Sequence, residues 1–292
     1  VTEQLNRVFT SSSWPSSPLR SRWAWKVCPV HAICDILFRM EVSSGVHLIG
    51  PLSGVNAYLI NAETLTLIDS GSPYAGPRVL RYIEELGRNP QELKRIVLTH
   101  SHVDHSGSAR WLRRRTGARV LAHAGEAKKG RDGRNYVVPN AAGLIDLVVR
   151  FLRKLLRARS VPLDGLVEDG QVLPVAGGLR VIHTPGHSPG HICLYLENQK
   201  VLFAGDLVLS NVGRLSRPFP APGTSPAMLE TSLQRLASLD VRVLCCAHGK
   251  PLVGDVNSTL RRFIALPPVS GSWWRIIRHL AASPFRPLRR HW

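Results

Sequence analysis

The stretch "LTHSHVDHSG", which runs from Leu98 to Gly107, places three histidines and one aspartate within six positions. These residues are His100, His102, Asp104 and His105. Burying imidazoles and a carboxylate so close together costs free energy unless another group pairs with them. Imidazole nitrogens and carboxylate oxygens are ligands that divalent transition metals accept in proteins. The stretch therefore predicts a metal site.

The residues around this stretch predict where it lies in a fold. The apolar run "KRIVLTH" indicates a buried strand that ends at His100, and "SGSARWLRRRTG" indicates a helix that opens at Ser106 or Ser108. An earlier helix is predicted over "PRVLRYIEELG", Pro77 to Gly87. Loops between a strand end and a helix start commonly carry catalytic groups in proteins that alternate strands and helices.

Spacing within the stretch favours two metal ions. On an extended segment, residues two apart share a face, so His100 and His102 are expected to hold one ion together. Asp104 and His105 follow where the chain turns, and they are expected to face a second ion. A two-metal site needs further ligands and usually a bridging carboxylate.

Further candidate ligands follow three apolar runs downstream. The segments are "LRVIHTPGHSPGH" with His183, His187 and His191, "KVLFAGDLVL" with Asp206, and "VRVLCCAHGKP" with His248. A structural zinc site would be closed, four-coordinate and commonly rich in cysteine. The abundance of histidine and aspartate argues against such a site and favours a catalytic one.

In this order, "THSHVDH", "TPGHSPGH", "FAGD" and "AHG", preceded by "LIDSG", resemble the metallo-β-lactamase-fold hydrolases. The resemblance covers roughly Val46 to Gly254 and implies an α+β fold, a four-layer αββα sandwich with the metal site at the edge between its two sheets. It implies three ligands for a first metal ion, His100, His102 and His187. It implies three ligands for a second ion, Asp104, His105 and His248, with Asp206 as the bridge between both ions.

The implied cofactors are two divalent metal ions, with zinc favoured and iron or manganese as alternatives. Such ions lower the pKa of a shared water, so a metal-bridging hydroxide is expected to attack the substrate. Asp104 and Asp206 are the predicted catalytic carboxylates, since each offsets metal charge and each is able to transfer a proton. His191 is predicted to have a structural role, and Asp69 is expected to orient a ligand histidine or to cap a turn.

Several substrate classes stay open at this point. The resemblance to glyoxalase II and the lactonases favours a small ester, thioester or lactone. True metallo-β-lactamases generally lack an aspartate at the position of Asp206, which argues against that activity. An RNA-processing nuclease or phosphodiesterase of the same fold is the main alternative, although the opening "GPLSGVNAYLIN" resembles the small-molecule hydrolases. A persulfide dioxygenase with a single iron is a further alternative.

The charge of the chain bears on the nuclease alternative. The formal net charge is +18, and residues 106–165 contain 14 lysines and arginines against four acids. A basic segment of this kind suits a polyanion, so nucleic acid is a possible but not favoured partner. A basic helical cap insert is predicted at about 124–165, where "LIDLVVRFLRKLL" (Leu144 to Leu156) has an apolar stripe at helical spacing.

Composition suggests how the rest of the chain is organised. Residues 1–39 are predicted to be a poorly ordered N-terminal extension, residues 40–264 the catalytic domain, and residues 265–292 a basic C-terminal tail. Five cysteines without a repeating spacing predict a reducing, cytoplasmic location. No membrane span is expected, because no run of 18 apolar residues is present. No signal peptide is expected either, because the N-terminus lacks a basic start followed by an uninterrupted apolar stretch and a small-residue cleavage site.

Overall fold

The computed structural model describes residues 39–52, 54–130, 132–137, 160–211, 214–218 and 224–267. Residues 1–38 of the predicted N-terminal extension, the predicted helix at 144–156 and most of the basic tail lie outside the described residues. The domain boundaries therefore stay a prediction. Among the helices of the described residues, none is both long enough and apolar enough to cross a membrane.

The strands of the described residues are β1 (Arg39–Ser43), β2 (Val46–Ile49), β3 (Ala57–Asn61), β4 (Leu65–Ile68), β5 (Leu93–Val97), β6 (Arg119–His123), β7 (Ala127–Lys129), β8 (Asn135–Val137), β9 (Val161–Pro162), β10 (Gly165–Val167), β11 (Val172–Leu173), β12 (Leu179–His183), β13 (Ile192–Leu196), β14 (Val201–Gly205), β15 (Leu209–Asn211), β16 (Arg214–Ser216), β17 (Val243–Cys246) and β18 (Leu252–Val253). The helices are α1 (Gly76–Glu85), α2 (Val103–Ser106), α3 (Ala109–Thr116), α4 (Pro226–Leu236) and α5 (Val256–Ala265).

Two mixed sheets form the centre of the fold. The first has the strand order β1-β2-β3-β4-β5-β6-β10, and the second has the order β11-β12-β13-β14-β17-β18. Strands β4, β5, β6 and β10 run parallel to one another, and β14 runs parallel to β17. The carboxyl ends of parallel strands lie at the same edge of a sheet, so the loops that follow them are brought together there.

Alternating side chains along the strands divide the core into three apolar layers. In β14, Val201 and Phe203 belong to the layer between the two sheets, whereas Leu202 and Ala204 pack with helices α4 and α5. Helices α1 and α3 cover the outer face of the first sheet. The order helix, sheet, sheet, helix confirms the predicted four-layer αββα sandwich.

The predicted helices next to the histidine stretch are present with small shifts. Helix α1 begins one residue before Pro77 and ends at Glu85, and Gly87 takes a left-handed conformation with φ of 71° just beyond it. Helix α3 begins directly after Ser108, one of the two predicted starts.

Three arginines form hydrogen bonds with residues 160–164, the segment just before strand β10 of the first sheet. Arg113 forms a bidentate ion pair with Asp164, at 2.8 Å from Nε to Oδ2 and 2.6 Å from Nη2 to Oδ1. Arg119 donates to the Asp164 carbonyl, and Arg110 donates to the carbonyl of Ser160. These contacts fasten residues 160–164 to helix α3 and strand β6.

The Arg113–Asp164 pair predicts a pH dependence of stability. The hydrogen bond from Arg113, more than that from the Val120 N–H, lowers the pKa of Asp164 below its ordinary value of 3.8. The unfolded state therefore binds more protons as the pH falls, and the contribution of the pair is lost below about pH 4. Both side chains are partly exposed, so this contribution is about 1 kcal/mol or less.

We expect Arg113→Gln to flatten the fall in the free energy of unfolding between about pH 6 and pH 3, measured by urea unfolding. The control is Arg114→Gln, which removes the same charge from an exposed neighbour. Equal pH slopes for wild type and Arg113→Gln would contradict the assigned role.

Candidate metal centre

The seven predicted ligand residues come together at one edge of the two sheets. His100 and His102 follow β5, His187 lies on the loop after β12, Asp206 directly follows β14, and His248 comes shortly after β17. They form two groups, in each of which one ligand-type atom from every residue lies within 4.8 Å of those of the others. The groups are His100, His102, His187 and Asp206, and Asp104, His105 and His248.

Three ring nitrogens converge in the first group. His102 Nδ1 lies 2.9 Å from His100 Nε2 and 3.0 Å from His187 Nε2. Burial, with the positive charge of the nearby His105, lowers the pKa of His100 well below its ordinary value. Burial also lowers the pKa of His102, and it lowers that of His187 to about 3. These imidazoles are therefore neutral at pH 7, the form in which histidine binds metals.

The histidine rings of the second group lie close to two carboxylates, those of Asp104 and Asp206. His105 Nε2 lies 3.7 Å from Asp104 Oδ2 and 3.4 Å from Asp206 Oδ1, while His248 Nε2 lies 3.5 Å and 3.4 Å from the same two oxygens. Burial alone would lower the pKa of His105, but the charges of Asp206, Asp69 and Asp104 raise it well above its ordinary value. Burial opposes a similar rise for His248, whose pKa is raised by the nearby Asp206 carboxylate.

Asp206 lies between the two groups, with one carboxylate oxygen towards each. Oδ2 lies 3.3 Å from His187 Nε2 and 3.9 Å from His100 Nε2, whereas Oδ1 lies 3.4 Å from the Nε2 atoms of both His105 and His248. Burial would raise the pKa of Asp206, yet the positive charge of His105 holds it well below its ordinary value. The carboxylate is thus ionised at neutral pH.

Buried polar atoms at the centre test whether these residues suit a metal. The atoms Asp206 Oδ1 and His105 Nε2 are buried without a hydrogen-bond partner. Buried polar atoms in native proteins are normally satisfied, so an orphaned pair aimed at one point calls for another partner. A divalent cation fits, because every donor around that point is an imidazole nitrogen or a carboxylate oxygen.

Asp69 orients histidines of both groups. Its Oδ2 accepts a hydrogen bond from His105 Nδ1 at 2.8 Å, which leaves Nε2 directed at the second group. Its two oxygens also accept from the N–H and hydroxyl of Thr99, each at 2.8 Å. The Thr99 hydroxyl oxygen in turn lies 3.1 Å from His100 Nδ1. Of the two roles predicted for Asp69, the geometry favours the orientation of a histidine.

His191 supports the backbone of Asp206. The Asp206 N–H donates to His191 Nε2 at 3.0 Å, and His191 Nδ1 lies 2.8 Å from the Thr184 hydroxyl. Gly205 makes this approach possible, because a Cβ atom there would lie 2.6 Å from His191 Nε2. The structural role predicted for His191 agrees with these contacts.

Two further sets of contacts hold the loops of the centre, and neither was predicted. His248 Nδ1 lies 2.9 Å from the carbonyl of Gly54, which fixes the orientation of that ring. Glu126 is buried, and its carboxylate accepts hydrogen bonds from the loops that carry His102 and His187. The only sequence signal for Glu126 is an acid after a strand end in "LAHAGE", which is common in solvated turns.

Comparison with known proteins places this site in a family. A sequence model of the metallo-beta-lactamase superfamily matches residues 50–248. The probable metallo-hydrolase YflN of Bacillus subtilis (strain 168) is 28% identical over 235 residues, which cover 73% of this chain and 87% of that protein. A hydroxyacylglutathione hydrolase of Cereibacter sphaeroides is 33% identical over 177 residues, 60% of this chain and 54% of that protein.

A solved structure shares the architecture. The metallo-beta-lactamase family protein TTHA1429 from Thermus thermophilus aligns with a TM-score of 0.58 at 28% identity, covering 82% of this chain and 81% of that one. The family model, the αββα fold and the histidine and aspartate cluster all agree. The chain therefore belongs to the metallo-beta-lactamase superfamily, as a metallo-hydrolase of that superfamily.

Proposed function

We propose that this protein is a dinuclear metallohydrolase that cleaves a small ester, thioester or lactone. The observation that carries the proposal is the position of Asp206, whose two carboxylate oxygens face different donor groups. A carboxylate between two sets of ligands suits a bridge between two ions better than it suits a single closed metal site.

The donor atoms divide naturally between two ions. His100, His102 and His187 would hold the first ion, and Asp104, His105 and His248 would hold the second. Nitrogen and oxygen donors without cysteine suit zinc, with iron or manganese as alternatives. When bound, two such ions lower the pKa of a shared water toward neutrality and stabilise negative charge on the reacting oxygen.

The side chains of the centre have separate tasks. Asp206 is buried and ionised, so it offsets positive charge at a fixed position between the groups. The Asp104 side chain is 34% exposed and Oδ2 faces both His105 and His248. Asp104 is therefore the carboxylate of the centre that solvent reaches, and we assign it the transfer of a proton between substrate and water.

A carbonyl substrate is favoured over a phosphodiester. The similarity to a hydroxyacylglutathione hydrolase supports an acyl substrate of this kind. Several arginines of the basic segment are engaged within the protein: Arg113 and Arg119 hold Asp164, and Arg115 lies over the ring of Trp111 at 5.2 Å. Of these, Arg113 has its charge offset by the Asp164 carboxylate, which reduces its contribution to the attraction of a polyanion. A cytoplasmic location stays a prediction that rests on the cysteine composition.

Metal content and turnover on one protein sample test the proposal. We expect about two zinc ions per chain, hydrolysis of a thioester or a lactone, and loss of that activity on chelation with recovery on adding zinc. The parallel assays use a β-lactam and a phosphodiester. Preferred turnover of the phosphodiester would replace this proposal with the nuclease alternative. A single iron ion without hydrolytic activity would contradict it in favour of an oxygenase.

A further inference from the structure

Glu126 is a buried acid that has no role in the proposed reaction. Its side chain belongs to a residue only 6% exposed, at the end of the 3-10 turn Ala124–Glu126 that follows β6. Burying a carboxylate is costly unless several donors satisfy it. The donors that surround Glu126 therefore indicate what the residue is for.

Three donors from two different loops converge on this carboxylate. Oε2 accepts from the Ser101 N–H at 2.9 Å. Oε1 accepts from the Ser188 hydroxyl at 2.5 Å and from the Gly190 N–H at 2.9 Å. Hydrogen bonds to an ionised carboxylate are roughly twice as strong as those between neutral groups.

Two of these donor residues lie next in sequence to the histidines of the first group. Ser101 stands between His100 and His102 in the chain, and Ser188 directly follows His187. The two loops approach the centre from different sheets, one after β5 and the other between β12 and β13. One carboxylate thus ties together the two loops whose imidazoles converge within 3.0 Å.

Close backbone contact keeps Glu126 at this junction. A Cβ atom on Gly125 would lie 2.7 Å from the Cα of Gly190, and one on Gly190 would lie 2.5 Å from the Glu126 backbone nitrogen. The turn after β6 and the loop after His187 therefore meet without intervening side chains. Glu126 cannot be displaced far without moving that loop as well.

We infer that Glu126 is a positioning residue that fixes the geometry of the His100, His102 and His187 metal site by joining its two loops. The inference rests on the proposed metal-dependent function and assigns a residue that acts through the ligands. An amide at this position has a single acceptor oxygen. In Glu126→Gln the amide NH2 group, which is a donor, must therefore face either the Ser101 N–H or the Gly190 N–H. In either case one backbone N–H loses its acceptor.

The test is a metal titration of the full chain after its metals have been removed by chelation, with Zn²⁺ followed by calorimetry and Co²⁺ followed by visible absorption. We expect Glu126→Gln to weaken metal binding at the His100, His102 and His187 site by roughly ten-fold or more. The affinity of the site with Asp104, His105 and His248 should stay within about three-fold of the wild-type value. The absorption bands of Co²⁺ at the weakened site should change shape, while those of the other site stay as in wild type. A residue that served only overall stability would not separate the two sites in this way.

The control is Glu63→Gln, which removes the same charge from an exposed position and should leave both affinities unchanged. If Glu126→Gln does not fold, Ser188→Ala removes one of the three donors and should weaken the same site by a smaller factor. Two unchanged affinities in whichever of these variants is folded would overturn the inference. Failure of the wild type to bind two ions would instead overturn the proposed function, so the two failures are distinguishable.

Discussion

Asp206→Ala is expected to lower turnover by more than about 100-fold, because losing a metal ligand exceeds the 10- to 100-fold effect of losing a residue that only orients one. The substitution removes both oxygens that face the donor groups, so neither group keeps its full set of ligands. Turnover of the best carbonyl substrate, measured together with metal content per chain, checks this expectation. The metal content should fall from about two ions towards one.

The fold should survive this substitution, which makes the result interpretable. Asp206 is buried beside histidines and not within the apolar layers, and the Asp206 backbone keeps its hydrogen bond to His191. Circular dichroism and thermal unfolding should therefore resemble the wild type. Asp255→Ala, at an exposed aspartate, is the matched control and should keep full turnover. Full turnover in Asp206→Ala would mean that a two-metal mechanism is wrong for this protein.

Asp69→Asn is expected to lower turnover by about 10- to 100-fold, although Asp69 itself belongs to neither donor group. The carboxylate accepts from His105 Nδ1, the Thr99 N–H and the Thr99 hydroxyl, whereas an asparagine amide offers one acceptor oxygen. At least one buried donor then loses its partner, and the His105 ring keeps at best a weaker hydrogen bond to a neutral amide oxygen in place of the charged carboxylate.

Comparison with Thr99→Val separates the two sides of this network. Valine has nearly the shape of threonine but removes the hydroxyl that links Asp69 to His100 Nδ1. Metal titrations should show that Asp69→Asn weakens the site containing His105 most, and that Thr99→Val weakens the site containing His100. Equal affinities for both ions in Asp69→Asn and wild type would show that Asp69 does not support the centre.

Much of the centre was predictable because its residues follow strand ends. "THSHVDH", "TPGH", "FAGD" and "AHG" each come after an apolar run, and parallel strands carry such ends to one edge. The αββα architecture followed from the resemblance of these motifs, and the structure confirms it. The spacing of His100 and His102 also predicted that the two would act as a pair.

The supporting contacts were less predictable because they depend on distances between loops far apart in sequence. Glu126 meets Ser188 across 62 positions, and no periodic pattern links such residues. Asp69 was predicted to matter only because it ends a strand. Nothing in the sequence marks Thr99, whose hydroxyl connects Asp69 to His100. The backbone of Asp206 is likewise held by His191, whose approach depends on the absence of a Cβ atom at Gly205.

The pairing of β8 with β9 bears on how this enzyme could diversify. Val137 and Val161 are partners in that antiparallel pair, so the two ends of the intervening segment are already joined next to the first sheet. Loop-closure entropy changes slowly with length, by about 0.6 kcal/mol for each doubling. Segments of quite different length can therefore be grafted between these two valines while the metal centre keeps its supports. In this fold, the connection between these two strands can change in length without a change at the metal ligands.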